Sequence, residues 1–394
     1  MPQIKKLLMA LFACLLFAGC DDPLETPPVA ERVLLVYLAA DNNLSGNALD
    51  NIESLKEGMG AVSGNARALV YVDLPDENPT LREITASGET VLHTWEGGHD
   101  SASGETLQEV IGLVCKLAPA DHYGLLLWSH GMGWVPSSAE NYFVRSLSRG
   151  SDDVWPETKF FGQDTGVSPD SYMELDELAA AIPDHLFDYI LFDACFMGSV
   201  EVLYALRDKA DYIISSPAEV ISDGFPYAQI MEPLCRENPD LETVCETYYR
   251  YYAEHDVPQY HAATVSLVKT SALETLASAT AALYTAALSA DSRIFSFMDS
   301  GQLQPLDRYA RHFVFDMGSI ADELYRQAVV SAEQYAEWQD AFSQAVIYEA
   351  HTPWFFSLQL DKCCGLSSYV PLAQYADLNA FYVQQEWYHR VFSE

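Results

Sequence analysis

The chain has 394 residues, 49% of them hydrophobic, and carries 57 Asp and Glu against 21 Lys and Arg, a formal charge of −36. That length can bury a sizeable core and more than one subdomain, while the charge argues against nucleic acid as a partner, keeps the chain soluble and draws in cationic substrates. None of the 8 cysteines falls in a C-x-x-C pair, so zinc-ribbon and thioredoxin chemistry have no support.

Lys5 and Lys6 precede an apolar run of 11 residues, Leu7 to Phe17, which ends in Ala18 and Gly19 before Cys20. The run is too short for a membrane helix, which needs roughly 20 apolar residues, and reads as an export signal. Phe17-Ala18-Gly19-Cys20 resembles a bacterial lipobox, which implies that residues 1–19 are removed and that Cys20 is lipidated. A plain cleaved secretory signal is the alternative. Loss of residues 1–19, with their two lysines and no acid, would bring the charge to −38. The expected location is the cell envelope, anchored by lipid to a bacterial membrane on its periplasmic or cell-surface side. Residues 20–30, acidic and rich in proline, read as a tether.

From there, strand-length apolar runs alternate with helix-patterned segments. The strands are Val33 to Leu38, Ala68 to Val72, Tyr123 to Trp128, Tyr189 to Phe192 and Tyr212 to Ile214. The helices are Leu44 to Leu55, Thr106 to Leu117, Leu175 to Ile182 and Val200 to Leu206. Continuous apolar strands alternating with helices predict an α/β fold, a parallel sheet covered by helices. The polar stretch from Val135 to Ser171 exceeds an ordinary connection and points to a processing or specificity loop. Residues 31–270 form the expected catalytic domain and 271–394 a mainly helical subdomain, with a strand-like Gly365 to Val370 returning to the sheet. Cys235 and Cys245 could bridge in an oxidising compartment, but buried free thiols suit a chain of this size better.

In an open parallel sheet, ligands bind outside the carboxyl ends of the strands. The third strand exits into Ser129-His130-Gly131-Met132-Gly133-Trp134 and the fourth into Asp193-Ala194-Cys195-Phe196-Met197. A Cys that closes an apolar strand is ordinarily packing, and a His in a turn a hydrogen bonder. Together at one sheet edge they form the pair that nucleophilic acyl transfer requires, with Cys195 as nucleophile and His130 as acid and base. Cys195 is expected at the start of the next helix, where the dipole would favour its thiolate. The backbone N–H groups of Gly131 and Cys195 are the oxyanion donors of that geometry. No third catalytic member is apparent. A serine or metal hydrolase lacks its G-x-S-x-G elbow or H-E-x-x-H helix here.

These motifs, with Tyr37 to Leu44, Asp193 to Glu201, Asp223-Gly224-Phe225-Pro226-Tyr227 and Gly365 to Pro371, resemble the clostripain family of cysteine peptidases. The resemblance implies a caspase-like, mostly parallel sheet flanked by helices and a His130/Cys195 dyad. It also implies cleavage of protein or peptide substrates after Arg or Lys, with Asp193 in an acidic S1 pocket and Asp223 as a candidate second acid. Read alone, Asp193 could instead cap a helix and Asp223 could serve a turn. Some relatives are activated by cleavage between the His and the Cys, where Arg145, Arg149 and Lys159 are the candidate sites. Calcium dependence occurs in the family, so calcium is a possible cofactor, but no Asp/Glu spacing reads as a calcium loop and no metal ligand is assigned. A non-catalytic envelope lipoprotein that keeps the peptidase fold is the alternative function.

Overall fold

The computed structural model describes residues 27–97, 99–139, 163–167, 171–296, 298–309 and 311–392. Nine strands form one sheet: β1 (Ala30–Ala39), β2 (Ala66–Asp73), β3 (Thr80–Thr85), β4 (Gly88–Thr94), β5 (Ala120–Trp128), β6 (Phe187–Asp193), β7 (Ala210–Ser215), β8 (Thr264–Lys269) and β9 (Val346–His351). Their spatial order is β9-β8-β7-β6-β5-β1-β2-β3-β4. The middle strands β7, β6, β5, β1 and β2 run parallel. An antiparallel pair closes each side, β3 and β4 at one edge and β8 and β9 at the other.

Val33 to Ala39 of β1 are buried at every position, which requires cover on both faces of the sheet. Two groups of helices supply it. In one, α1 (Ser45–Met59) packs on α5 (Tyr227–Cys235), which packs on α6 (Leu241–Ala253). In the other, α2 (Gly104–Leu117), α3 (Leu175–Ala181) and α4 (Val200–Ala205) adjoin in turn, followed by α7 (Leu273–Ala290). The starts of these helices are set by side chains that accept the first free backbone N–H groups. Ser103 accepts from Thr106 N, Ser199 accepts from Val202 N, and Glu174 with Glu177 closes a capping box.

All five strands and four helices expected from the sequence are present. The four edge strands were not anticipated, because β3, β4 and β9 are half exposed and mix polar with apolar residues, and β8 is short. Gly365 to Val370 does not return to the sheet. Only Ser367–Ser368 is extended, and it pairs with Phe315–Asp316 in a separate ribbon, while β9 is the strand that the chain after residue 270 adds to the sheet. The rest of that stretch is mostly helical, with α8 (Met317–Arg326), α9 (Ala332–Ala345), α10 (Ala376–Tyr382) and α11 (Glu386–Phe392). Among the described residues no helix is long and apolar enough to cross a membrane.

The C-terminal stretch is fastened to the catalytic edge at two points. Trp134 meets Tyr369 and Tyr382, with ring centroids 5.0 and 5.2 Å away. Glu201 of α4 is 1% exposed, and its Oε1 accepts from Ser368 Oγ and Tyr369 N, each at 2.9 Å, while Oε2 has no partner. Burial pushes this carboxyl up to about 7. The folded protein therefore holds a proton that the unfolded chain releases above the ordinary glutamate value of 4.5. The resulting stability is complete below that value and lost as the pH rises through about 7. Glu201→Gln is expected to abolish this slope, worth on the order of 3 kcal/mol, so that the variant gains stability over the wild type between pH 5 and pH 8. Urea denaturation of both proteins across that range measures it, and parallel pH profiles would refute the assignment.

Candidate active site

Parallel pairing of β5 with β6 sets Trp128 opposite Asp193. Two residues beyond each lie His130 and Cys195, so the register brings both to the same height on neighbouring strands. The strand exits are in contact: a Cβ placed on Gly131 would lie 2.3 Å from the Cys195 carbonyl oxygen and 2.7 Å from its nitrogen. Only glycine permits that approach.

Cys195 lies in a turn rather than at a helix terminus. The next helix, α4, begins five residues later at Val200 behind the Ser199 cap, so the dipole expected to activate the thiol is not there. The turn is instead stitched to the exit of β7. Phe196, at φ +59°, donates its N–H to Ala218 O at 2.7 Å, and Gly198 donates to Ser216 O at 2.8 Å. A positive φ on a phenylalanine stores roughly 1–3 kcal/mol of strain, which these bonds hold in place. The Cys195 sulfur accepts the Val220 N–H at 3.0 Å and is 0% exposed. Next to Val220, Glu219 is gripped through both oxygens by Arg308 at 2.6 and 2.9 Å, and the Arg308 guanidinium stacks 4.6 Å over the Phe356 ring. Arg308 and Tyr309 are both within electrostatic reach of Cys195. A cation and a backbone donor beside the sulfur thus supply the support that the absent helix terminus does not.

His130 is 3% exposed, and its Nε2 is 2.7 Å from Asn43 Oδ1. The amide oxygen accepts, which places the ring proton on Nε2 and leaves Nδ1 as the basic nitrogen. Asn43 orients the His130 ring and was missed as a site residue. Its position just past β1, the strand beside β5, was the available clue.

Asp193 does not cap a helix. Its carboxylate is 0% exposed and accepts from Tyr227 Oη at 2.5 Å and Phe225 N at 3.1 Å. Asp223 is half-buried, and its carbonyl accepts from Asn51 Nδ2, whose Oδ1 in turn accepts from Trp128 Nε1. Both acids act on the buried Tyr252 hydroxyl, which places them on one side of the site. Tyr248 lies there too, stacked 4.1 Å from Phe225, with its hydroxyl buried and unbonded.

Asp41, Asp73 and Asp164 meet beside β1 and β2, each offering an oxygen within 4.8 Å of the others. Burial, and then the charge of Asp164, push the Asp73 carboxyl up to about 8. No sequence spacing joins these three acids, which come from two strand ends and from the stretch between His130 and Cys195. All six described cysteines are free, Cys235 and Cys245 among them. Cys20, Arg145, Arg149 and Lys159 lie outside the described residues.

Residues 36–353 match the profile of the clostripain family. The chain belongs to that family. It is 25% identical over 232 residues to clostripain of Hathewaya histolytica, a match that covers 50% of this chain and 41% of that protein. The chain thus spans well under half the length of this relative. The fold resembles that of an inactive zymogen C11 protease from Parabacteroides distasonis, at 33% identity and a TM-score of 0.77, over 93% of this chain and 99% of the other. It also resembles a secreted C11 cysteine protease from Bacteroides thetaiotaomicron solved with an irreversible peptide inhibitor, at 27% identity and a TM-score of 0.74, over 92% and 99%. The sheet and its flanking helices are therefore caspase-like. In this clostripain-family chain the strand exits are in close backbone contact at Gly131. Gly131→Ala is expected to push the Cys195 backbone away and to slow alkylation of Cys195 by about tenfold or more with the fold intact. Peptide-mapped labelling rates together with circular dichroism test this, and an unchanged rate would contradict the contact.

Proposed function

We propose that this protein is a cysteine endopeptidase in which Cys195 is the nucleophile and His130 the acid and base, cutting after Arg or Lys. The register that pairs Trp128 with Asp193 carries the proposal, because it sets thiol and imidazole at one sheet edge. His130 takes the Cys195 proton, and the thiolate adds to the peptide carbonyl. The negative oxygen is met by the N–H groups of Gly131 and Cys195. As the C–N bond breaks, His130 gives its proton to the leaving amine. It then takes a proton from water, which attacks the thioester and releases the acid and the free thiol.

Specificity for a basic P1 residue is supported by Asp193 and Asp223, both within electrostatic reach of Tyr252, in a chain of net charge −36. The buried sulfur indicates a latent state, since a substrate carbonyl cannot reach Cys195 until the segment around Val220 gives way. The zymogen described for the relative at 33% identity accords with that reading. Cleavage at Arg145, Arg149 or Lys159 is the proposed trigger, and Cys20 the proposed lipid site that holds the enzyme at the cell envelope. The Asp41, Asp73 and Asp164 cluster could hold the calcium known in the family and would supply a fixed positive charge there. None of the steps above passes through it.

Fluorogenic peptides that differ only at P1, together with mass spectrometry of the chain itself, test the reading. The wild type is expected to prefer Arg and Lys, and Cys195→Ala to lose activity by roughly 10³-fold or more. Asp193→Asn is expected to lower kcat/KM for basic substrates by about tenfold or more. Turnover that survives Cys195→Ala would overturn the assignment. A wild type inert even after cleavage within residues 140–162 would favour the non-catalytic lipoprotein.

A further inference from the structure

The hydroxyls of Tyr227, Tyr248 and Tyr252 lie within electrostatic reach of the Asp193 carboxylate, and two of them are committed. Tyr227, at the start of α5, donates to Asp193 Oδ2 at 2.5 Å, and Tyr252 of α6 donates to the Gly224 carbonyl at 2.6 Å. Tyr248 stands one helical turn before Tyr252, so both rings leave the same face of α6, with centroids 5.1 Å apart. The Tyr248 ring stacks 4.1 Å from that of Phe225, whose N–H also donates to Asp193 Oδ2. Tyr248 is 0% exposed, and its hydroxyl has no hydrogen-bond partner.

A hydroxyl taken out of water and left unbonded destabilises the fold, and phenylalanine would fill the same space without that cost. The surroundings show what partner would repay it. Burial, then the charges of Asp193 and Cys195, push the Tyr248 hydroxyl up, so it faces both the acid assigned to the P1 side chain and the nucleophile. Asp193 Oδ2 already accepts two donors. A guanidinium brings five N–H donors in a rigid plane, more than this carboxylate can take, whereas an ammonium is a compact charge with three. A phenol oxygen beside the carboxylate accepts the N–H that is left over.

We propose that the Tyr248 hydroxyl determines specificity at P1: it accepts an N–H from an arginine guanidinium whose other donors engage Asp193, and so favours Arg over Lys. This inference rests on the peptidase reading above and narrows its substrate class. A lysine ammonium held by Asp193 has no planar fork to span a second acceptor, so the hydroxyl stays unbonded in that complex. A polar group left unpaired beside a bound substrate counts against that substrate. The hydroxyl that weakens the empty protein thus discriminates once the pocket is filled.

Tyr248→Phe tests the proposal, because it removes the hydroxyl and keeps the ring. In urea denaturation the variant is expected to be at least as stable as the wild type, since the unliganded hydroxyl bonds to nothing. On peptides that differ only in Arg or Lys at P1, assayed with the full chain after cleavage within residues 140–162, the wild type is expected to prefer Arg. The variant is expected to lose about tenfold or more in kcat/KM for Arg and to stay within about twofold for Lys, so that the preference collapses. Asp193→Asn, by contrast, is expected to weaken both substrates. A variant that keeps the wild-type ratio of Arg to Lys would overturn this inference alone, as would a loss of stability, which would reveal a structural partner. A wild type that cuts neither substrate would overturn the peptidase reading along with it.

Discussion

The parallel pairing of β5 with β6 is the constraint on which the site depends. It is an ordinary backbone ladder between two buried apolar strands, Leu125 to Trp128 against Ile190 to Asp193. Because side chains alternate along a strand, a slip of one residue would turn every core side chain of either strand to the opposite face. With both faces buried, side-chain fit such as Tyr189 over Gly124 fixes the register, and the register fixes the height at which each chain leaves the sheet. The alignment of the two strand exits follows from core packing.

Everything beyond the strand ends manages polar groups that the core has brought out of water. Asp193 lies at the end of β6 with no exposure and is satisfied by Tyr227 and Phe225, which arrive from the start of α5. Glu219 is satisfied by Arg308, and one oxygen of Glu201 by Ser368 and Tyr369, all from beyond residue 300. The C-terminal stretch thus reaches the site by supplying partners to carboxylates that the sheet edge cannot satisfy alone. Truncating one partner of such a pair strands a buried charge, which costs more than the pair itself contributes. These contacts therefore hold distant parts of the sequence in place around Cys195.

The sequence carried the strands and the two strand exits because each rests on local pattern. Continuous apolar runs such as Val33 to Leu38 admit few readings, and the exits of β5 and β6 follow from the rule for parallel sheets. Residues whose role depends on distant partners were not legible. Asn43 resembles any polar residue in a turn until β1 is set beside β5, and Arg308 resembles a surface cation until Glu219 is seen opposite it. The helix proposed for Cys195 failed for a related reason. The strand exit was expected to lead straight into a helix, but Phe196 takes a left-handed conformation, and residues 196–199 intervene between Cys195 and α4. That turn is held by Ala218 and Ser216 of another loop, which no local signal reveals.

The stretch between His130 and Cys195 is held at its two flanks by different physics. On the His130 side, Trp134 is packed among Tyr369 and Tyr382, a contact of apolar area and ring geometry that salt and divalent ions barely affect. On the far side, Asp164 joins two other acids and depends on protons, cations and the Ser101 donors. Changes in the medium therefore act on one flank while the other stays fixed. This asymmetry allows the surroundings to alter the hold at Asp164 without disturbing the packing around Trp134.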